Sequence, residues 1–275
     1  MDTPKVWLVT GASKGFGYES VKLLLEKGYR VAATSRDSSK LEKRINSDHF
    51  LPLTMEVANE ESVSKAVSAV MQRFGKIDVL VNNAGYGLLG GIEELADEEI
   101  RKVFAVNVFG LINVSRSVLP IMRKQQSGRI LNIASVSGSV SAPATGIYSA
   151  TKAAVIQISE ALSKEAEEFG IKVTAICPGG FRTDFLDKSS MATPKNEIPE
   201  YTLVRNTVER FGELNKNQGG DPKKAAAVFI KIGEMPNPPC RIYLGSDALR
   251  MMKKKIADVS QSLDTYFETS QESDY

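Results

Sequence analysis

The chain has 275 residues, 42% of them hydrophobic and 25% charged, and a formal net charge of +2. That is ordinary globular composition, and so small a charge gives no reason to expect nucleic acid or an acidic membrane as a partner. One histidine, His49, leaves few options for hydrolases built on Ser-His-Asp or Cys-His, and two cysteines supply neither a disulfide framework nor metal-ligand spacing, so no metal is expected.

In chain order, Met1-Asp2-Thr3-Pro4-Lys5 lacks the layout of a signal peptide and runs straight into an apolar strand, Lys5 to Thr10. The strand is apolar on both faces, as buried parallel strands are. Gly11-Ala12-Ser13-Lys14-Gly15-Phe16-Gly17 follows, then a helix from Tyr18 to Lys27 closed by Gly28, then a second strand from Tyr29 to Thr34. Strand, glycine turn, helix and parallel strand make one βαβ unit.

The alternation continues. Leu41 to Ile45 reads as helix, His49 as a loop residue, Phe50 to Met55 as strand, and Asn59 to Phe74 as an amphipathic helix stopped at Gly75. Asp78 to Val81 is a strand leading into Asn82-Asn83-Ala84-Gly85, and Asp97 to Arg123 is a long helical region expected to be interrupted at Gly110 and Pro120. Arg129 to Ala134 is a strand, Ser135 to Gly146 a Ser/Gly-rich connection, and a helix then carries Tyr148 and Lys152 to about Phe169. Ile171 to Ile176 is the next strand, ending at Pro178-Gly179-Gly180. No apolar run reaches the length of a membrane span. Cys177 and Cys240 read as buried thiols in a reducing cytoplasm, which is the expected location.

Beyond Gly180 the rhythm breaks. A segment as long as 181–220 after a strand end reads as a binding lid with short helices. Asp221-Pro222 opens another helix, Arg241 to Leu244 is a last strand, and Asp247 to Leu263 a terminal helix with Lys253-Lys254-Lys255 on a solvated face. Strands separated by helices imply an α/β fold, a doubly wound parallel sheet in a single domain over 1–263. The polar tail 264–275 is expected to fray.

The glycine turn has a mechanical reading. Gly11 allows a tight exit from the strand, while Gly15 and Gly17 let backbone approach a ligand and the helix pack on the sheet. The helix N-terminus then offers N–H groups and a positive dipole end to a pyrophosphate. At the end of the second strand, where NAD enzymes place an acid for the ribose 2′-hydroxyl, the residues are Thr34-Ser35-Arg36, with no carboxylate before Asp37. Arg36 and Lys14 are cations suited to a 2′-phosphate, so NADP(H) is favoured over NAD(H). Farther along, Tyr148 and Lys152 stand four apart on one helix face. A neighbouring ammonium favours the phenolate and lowers the phenol's pKa, which makes the pair a general acid/base.

Thr10-Gly11-x-x-x-Gly15-x-Gly17, Asn82-Asn83-Ala84-Gly85, Asn107, Ser135, Tyr148-x-x-x-Lys152 and Pro178-Gly179 together resemble the short-chain dehydrogenase/reductase family in its compact single-domain branch. Later stretches, Pro178 to Asp184 and Gly219 to Pro222, resemble its bacterial members similar to 17β-hydroxysteroid dehydrogenases. The resemblance implies a Rossmann-type fold and a set of roles. Tyr148 is the proton donor or acceptor, and Lys152 lowers its pKa and bonds the nicotinamide ribose. Ser135 holds the substrate oxygen, and Asn107 anchors a water linking Lys152 to solvent. Glu56 and Val57 border the adenine, Ser13 and Phe16 lie in the phosphate turn, and Asn83, Ala84 and Gly85 line the cleft. Pro178, Gly179 and Thr183 meet the carboxamide side. Glu56 stands where the family usually has aspartate, and Phe16 where it has isoleucine or leucine.

The reading that follows is an NADPH-dependent carbonyl reductase, reversible as an alcohol dehydrogenase. Its substrate is expected to be a neutral, fairly hydrophobic ketone or secondary alcohol, bound among Tyr86 to Leu89, Ser137 to Ala142 and Phe181 to Phe211. The alternatives are a non-catalytic nucleotide sensor or scaffold on the same fold, and a sugar-nucleotide epimerase or dehydratase. The resemblance also implies a homodimer or homotetramer through helices near 100–125 and 147–169.

Overall fold

A computed structural model describes residues 4–275; Met1, Asp2 and Thr3, part of the N-terminus read as lacking a signal layout, lie outside them. Strand β1 (Val6–Val9) shows why the sheet is covered on both sides. Val6 and Leu8 enter one apolar cluster, while Trp7 and Val9 enter another. Strand side chains alternate between faces, so four consecutive buried residues require an apolar layer on each side.

The remaining elements place those layers. Helix α1 (Gly15–Glu26) leads to β2 (Arg30–Ser35), and the short α2 (Ser39–Glu42) to β3 (Phe50–Thr54). Helix α3 (Glu60–Phe74) starts where the Asn59 side chain accepts the Ser62 N–H at 2.8 Å and stops at Gly75, whose φ is +77°. A cap of this kind contributes about 1 kcal/mol, and a glycine enters the left-handed region without the strain of a Cβ. After β4 (Val79–Asn82) and the two-residue β5 (Gly87–Leu88) the chain forms one unbroken helical rod. It consists of α4 (Asp97–Phe104), a π turn (Ala105–Phe109) and α5 (Gly110–Gln125).

The expected breaks at Gly110 and Pro120 do not occur. A Cβ on Gly110 would lie 2.7 Å from Val57 Cγ2, so this glycine permits close packing. Pro120 is exposed, and the helix hydrogen bond it forgoes falls on the solvent side. The membrane expectation also needs correction: Asp97–Gln125 is long and apolar enough, by length and composition, to cross a membrane. Here its Val103, Val114, Val118 and Met122 are buried within the fold.

Strand β6 (Gly128–Ile133), α6 (Gly146–Glu165) and β7 (Ile171–Pro178) follow, then β8 (Met191–Ala192), α7 (Thr202–Leu214), α8 (Pro222–Glu234) and β9 (Arg241–Leu244). The seven main strands run in the order β3-β2-β1-β4-β6-β7-β9, every neighbouring pair parallel. The order reverses beside β1, with β2 on one flank and β4 on the other. The loops after β1 and β4 therefore part at a crevice, where ligands bind in open parallel sheets. A second sheet, β5 with β8, joins the segment after β4 to the lid. Strands of two residues carry no periodicity, and the sequence reading missed both. Two smaller expectations change: Cys240 is half-buried rather than buried, and α9 (Ser246–Thr265) and α10 (Phe267–Gln271) run into the tail expected to fray.

Candidate active site

The crevice is built by two loops tied together. Gly11 leaves β1 at φ +66°, and a Cβ there would come within 2.7 Å of Ala84 Cα. Thr10 Oγ1 accepts the N–H groups of Asn83 and Ala84, each at 3.0 Å, while Asn83 Nδ2 donates to the carbonyls of Thr10 at 2.9 Å and Gly11 at 3.0 Å. Gly17 is needed beneath this strap, since a Cβ there would lie 2.7 Å from Asn83 Nδ2. Helix α1 begins at Gly15 with no side-chain cap and no acid in its first turn. Its leading N–H groups are left for a ligand, as a dinucleotide phosphate site requires.

A cavity of about 670 Å³ opens over these loops. Of the residues singled out in the sequence, Gly11, Ser13, Lys14, Gly15, Phe16, Arg36, Glu56, Val57, Asn83, Ala84, Gly85, Ser135, Tyr148, Lys152, Pro178, Gly179 and Thr183 all line it. Gly17 and Asn107 do not; both stand behind the lining. The expected substrate segments contribute Tyr86, Leu89, Ser137, Phe181, Phe185, Leu186, Met191 and Phe211, but Gly138 to Ala142 lie outside the cavity. Arg182 also lies outside, with its Nε donating to the Gln218 carbonyl at 2.6 Å.

At the end of β2, Arg36 lines the cavity, whereas Asp37 takes the Ser39 N–H at 3.1 Å and the Ser39 hydroxyl at 2.7 Å. Those bonds hold its carboxyl below the usual range and outside the cleft. Lys14 Nζ donates to Ser189 Oγ of the lid at 2.6 Å. Burial lowers the Lys14 pKa, Asp184 and Asp187 oppose that, and Arg36 adds to the lowering.

Asn107 sits in the π turn, a local irregularity that frequently marks a functional position. Its Oδ1 accepts the Tyr86 N–H at 3.0 Å, and its Nδ2 donates to the Tyr86 carbonyl at 2.9 Å and to Thr151 Oγ1 at 3.2 Å. Thr151 in turn donates to the Tyr148 carbonyl at 2.7 Å. Asn107 thus fixes the loop after β4 against the helix that carries Tyr148.

Tyr148 and Lys152 are both buried on α6. Lys152 Nζ donates to the Ile133 carbonyl at 2.8 Å and lies 5.9 Å from the Tyr148 ring centre. The sequence reading has this ammonium lowering the phenol's pKa; here burial dominates and pushes Tyr148 above its ordinary range, with the Ser135 hydroxyl acting in the opposite direction. Burial likewise brings Lys152 down to about 8, against the nearby Cys177 thiol, itself pushed up to about 12 by burial. Ser135 Oγ, at the end of β6, accepts the Ser137 N–H at 3.1 Å.

The lid is fastened in part by residues that sequence reasoning did not single out, Glu94, Arg205 and Asp247. The Glu94 carboxylate is buried and receives the N–H groups of Ile198 at 2.8 Å and Gly91 at 2.7 Å, together with the Arg205 guanidinium. Burial alone raises its pKa, but these bonds outweigh burial and leave it lowered. Asp247 accepts the Gly180 N–H at 2.7 Å and braces the turn into the lid. Phe185 packs 5.7 Å from the Tyr148 ring, and Phe16 packs edge-on at 5.1 Å against Phe181 and 5.4 Å against Phe229. Glu94, Arg205 and Asp247 carry no motif; a partnered acid or a packed ring is visible only once the chain is folded.

The sequence profile described as short chain dehydrogenase matches residues 5–193. A protein of Bacteroides thetaiotaomicron named 3-ketodihydrosphingosine reductase is 38% identical over 88% of this chain and 88% of its own length. A short-chain dehydrogenase of Streptomyces avermitilis superposes with a TM-score of 0.92 at 36% identity, covering 99% of this chain and 100% of that one. A Burkholderia phymatum short chain dehydrogenase/reductase in complex with NAD gives 0.83 at 26% identity, covering 94% and 95%. A serine dehydrogenase complexed with NADP+ gives 0.74 at 25% identity, covering 87% and 94%.

Proposed function

The chain belongs to the short chain dehydrogenase family, and from that premise we propose that it is an NADPH-dependent carbonyl reductase acting on a neutral, fairly hydrophobic ketone. Oxidoreductase chemistry between CH–OH and C=O groups goes with the family, and its neighbours hold NAD or NADP. The crevice fits such a group: a glycine cradle that a Cβ would fill, and a helix N-terminus with uncapped N–H groups. When bound, the nicotinamide supplies the hydride.

What the chain supplies is the proton and the placement. Tyr148, held protonated by burial, delivers its proton to the carbonyl oxygen. Ser135 donates a hydrogen bond to the same oxygen and steadies charge developing on it. Lys152, charged below about 8, stands beside Gly85, where a Cβ would lie 3.6 Å from its Nζ, and would hold the ribose of a bound coenzyme. The observation that carries the reading is that Ser135, Tyr148 and Lys152 line the same cavity as the glycine turn.

Arg36 and Lys14 support NADP over NAD, since both line the cavity, Arg36 at the end of β2 where a 2′-phosphate is expected. Leu89, Phe185, Leu186, Met191, Phe211 and Met251 give the substrate side an apolar surface. The name of the Bacteroides relative, 3-ketodihydrosphingosine reductase, supports reduction of a ketone. A non-catalytic sensor is expected to lack Tyr148 or Lys152, and both are in place. Tyr148→Phe should abolish NADPH oxidation across a ketone panel while NADPH still quenches the single tryptophan or transfers energy from it. An unchanged rate in that variant would sink the assignment.

A further inference from the structure

Gln218 lies in the last part of the lid, between α7 and α8, and is only 6% exposed. Its backbone carbonyl accepts Arg182 Nε at 2.6 Å, but its side-chain amide is idle. Oε1 is buried without a partner, and no hydrogen bond engages Nε2 among the described residues. Buried polar groups are paired in the great majority of cases, so an idle amide points to a ligand. Gln218 lines the cavity.

Asp247 supplies a second polar group on the same wall. It too lines the cavity, half-buried, and its carboxylate accepts the Gly180 N–H at 2.7 Å while no cation pairs with it among the described residues. The two side chains meet over Gly180: a Cβ there would lie 3.4 Å from Asp247 Oδ2 and 3.5 Å from Gln218 Cβ. Their surroundings belong to the substrate side. Asp247 and Met251 stand one turn apart on α9, and Phe211 joins them on the wall from α7. Helix α9 packs against residues 136–138, which follow Ser135, and Tyr243 Oη and Ser139 Oγ, 2.8 Å apart, fasten β9 to the same segment. Lys14, Arg36 and Glu56 line the cavity elsewhere, from the glycine turn and beyond the ends of β2 and β3.

An amide offers a donor and an acceptor, and turning it about its last bond exchanges them; a carboxylate only accepts. Together they complement a neutral group that both donates and accepts, and a hydroxyl is the smallest that does. A substrate carboxylate or phosphate would be repelled by Asp247, and an alkyl chain would leave both groups unpaired. We propose that Gln218 and Asp247 form a polar anchor at the lid end of the substrate pocket, and that the ketone carries a hydroxyl on the far end of its apolar part. The anchor rests on the reductase reading and narrows it: Ser135 and Tyr148 take the carbonyl, while Gln218 and Asp247 decide which ketones lie in productive register. The coenzyme's carboxamide also donates and accepts, and Phe211 and Met251 beside the pair favour the substrate over it.

Straight-chain methyl ketones of increasing length, each with and without a hydroxyl on its last carbon, test this. At the length that spans the pocket, the wild type should favour the hydroxyketone in kcat/KM by roughly tenfold or more. Gln218→Leu should bring that ratio down to about one, chiefly through KM, while its melting temperature holds or rises, because the amide it loses has no partner in the chain. Asp247→Asn, whose side-chain oxygen can still accept the Gly180 N–H, should lower the ratio as well. A wild-type ratio near one at every length overturns the proposal, as does the same ratio in the wild type and Gln218→Leu. Weaker NADPH binding by Gln218→Leu in a tryptophan-fluorescence titration, with the ketone ratio unchanged, also overturns it and assigns the amide to the coenzyme's carboxamide. A wild type that reduces neither member of any pair sinks the reductase reading, and the anchor with it.

Discussion

Lys152 Nζ donates to the carbonyl oxygen of Ile133 at 2.8 Å, so the ammonium is anchored to the end of β6, two residues before Ser135. The bond ties the position of the α6 helix to that of the strand end and keeps three polar side chains in register. It also holds a cation where burial disfavours charge, bringing its pKa from 10.5 to about 8.

That depression has a sign that can be tested. Below pH 8 the folded chain must keep Lys152 protonated in a buried site; between about 8 and 10.5 the unfolded chain binds the extra proton, so stability rises with pH. The full swing is on the order of 3 kcal/mol. Lys152→Met should lack it. Denaturant melts of both proteins from pH 7 to 11 should show the variant's advantage shrinking across that window, and a constant difference would refute the buried-charge account. Ketone reduction in the wild type should fall above pH 8 as the ammonium is lost.

Arg36 lines the cleft with no hydrogen bond or ion pair engaging it among the described residues, while Asp37 is turned away into bonds with Ser39. Arg36→Asp should raise the KM for NADPH roughly 10- to 100-fold, the equivalent of one or two charge-assisted hydrogen bonds, and improve use of NADH. Asp37→Asn should leave the ratio of the two coenzymes nearly unchanged. Equal effects from both substitutions would remove the preference from Arg36.

Glu94 fastens the lid through the Ile198 N–H and Arg205. Glu94→Ala leaves Arg205 without this partner and is expected to cost about 3 kcal/mol. It should also raise KM for the ketone more than it lowers kcat, because the lid shapes the pocket while Ser135 and Tyr148 stay in place. Since the folded carboxyl sits below its usual value of 4.5, the stability it confers is present above pH 4.5 and fades as pH falls through the lower folded value. Hydrogen exchange over residues 191–214 reads the loosening directly; unchanged exchange there would deny Glu94 this role.

The sheet and the cleft were legible because their signals are local. Each main strand is an apolar run between turn residues, and the glycine turn, Asn82-Asn83-Ala84-Gly85 and Tyr148-x-x-x-Lys152 can each be read within a few positions. Reading failed where the cause lies elsewhere in the chain. Gly110 resembles a helix breaker until Val57 is seen against it. Phe16 stands out from the family's isoleucine or leucine without a local reason, and the reason appears when Phe181 and Phe229 close around it. The pKa of Tyr148 was inferred from a neighbour four residues away, whereas burial by the whole fold decides it.

Asn107 is the case in which a motif residue has a bracing task beside the one its position implies. Its amide grips both backbone groups of Tyr86 and the Thr151 hydroxyl, and Gly85 lies so close that a Cβ would stand 3.1 Å from Asn107 Oδ1. Asn107→Ala would leave a partly buried N–H and carbonyl unpaired, at about 1 to 3 kcal/mol for each group. The loop from Asn83 to Tyr86, which lines the cofactor cleft, would then lose its brace against α6. We expect a fall in melting temperature together with weaker coenzyme binding, the latter partly recovered in Asn107→Gln if the longer amide still reaches Tyr86. A role confined to proton movement predicts the opposite pattern: full stability and coenzyme affinity with reduced kcat. Calorimetric melts and a coenzyme titration on the same two variants separate the alternatives.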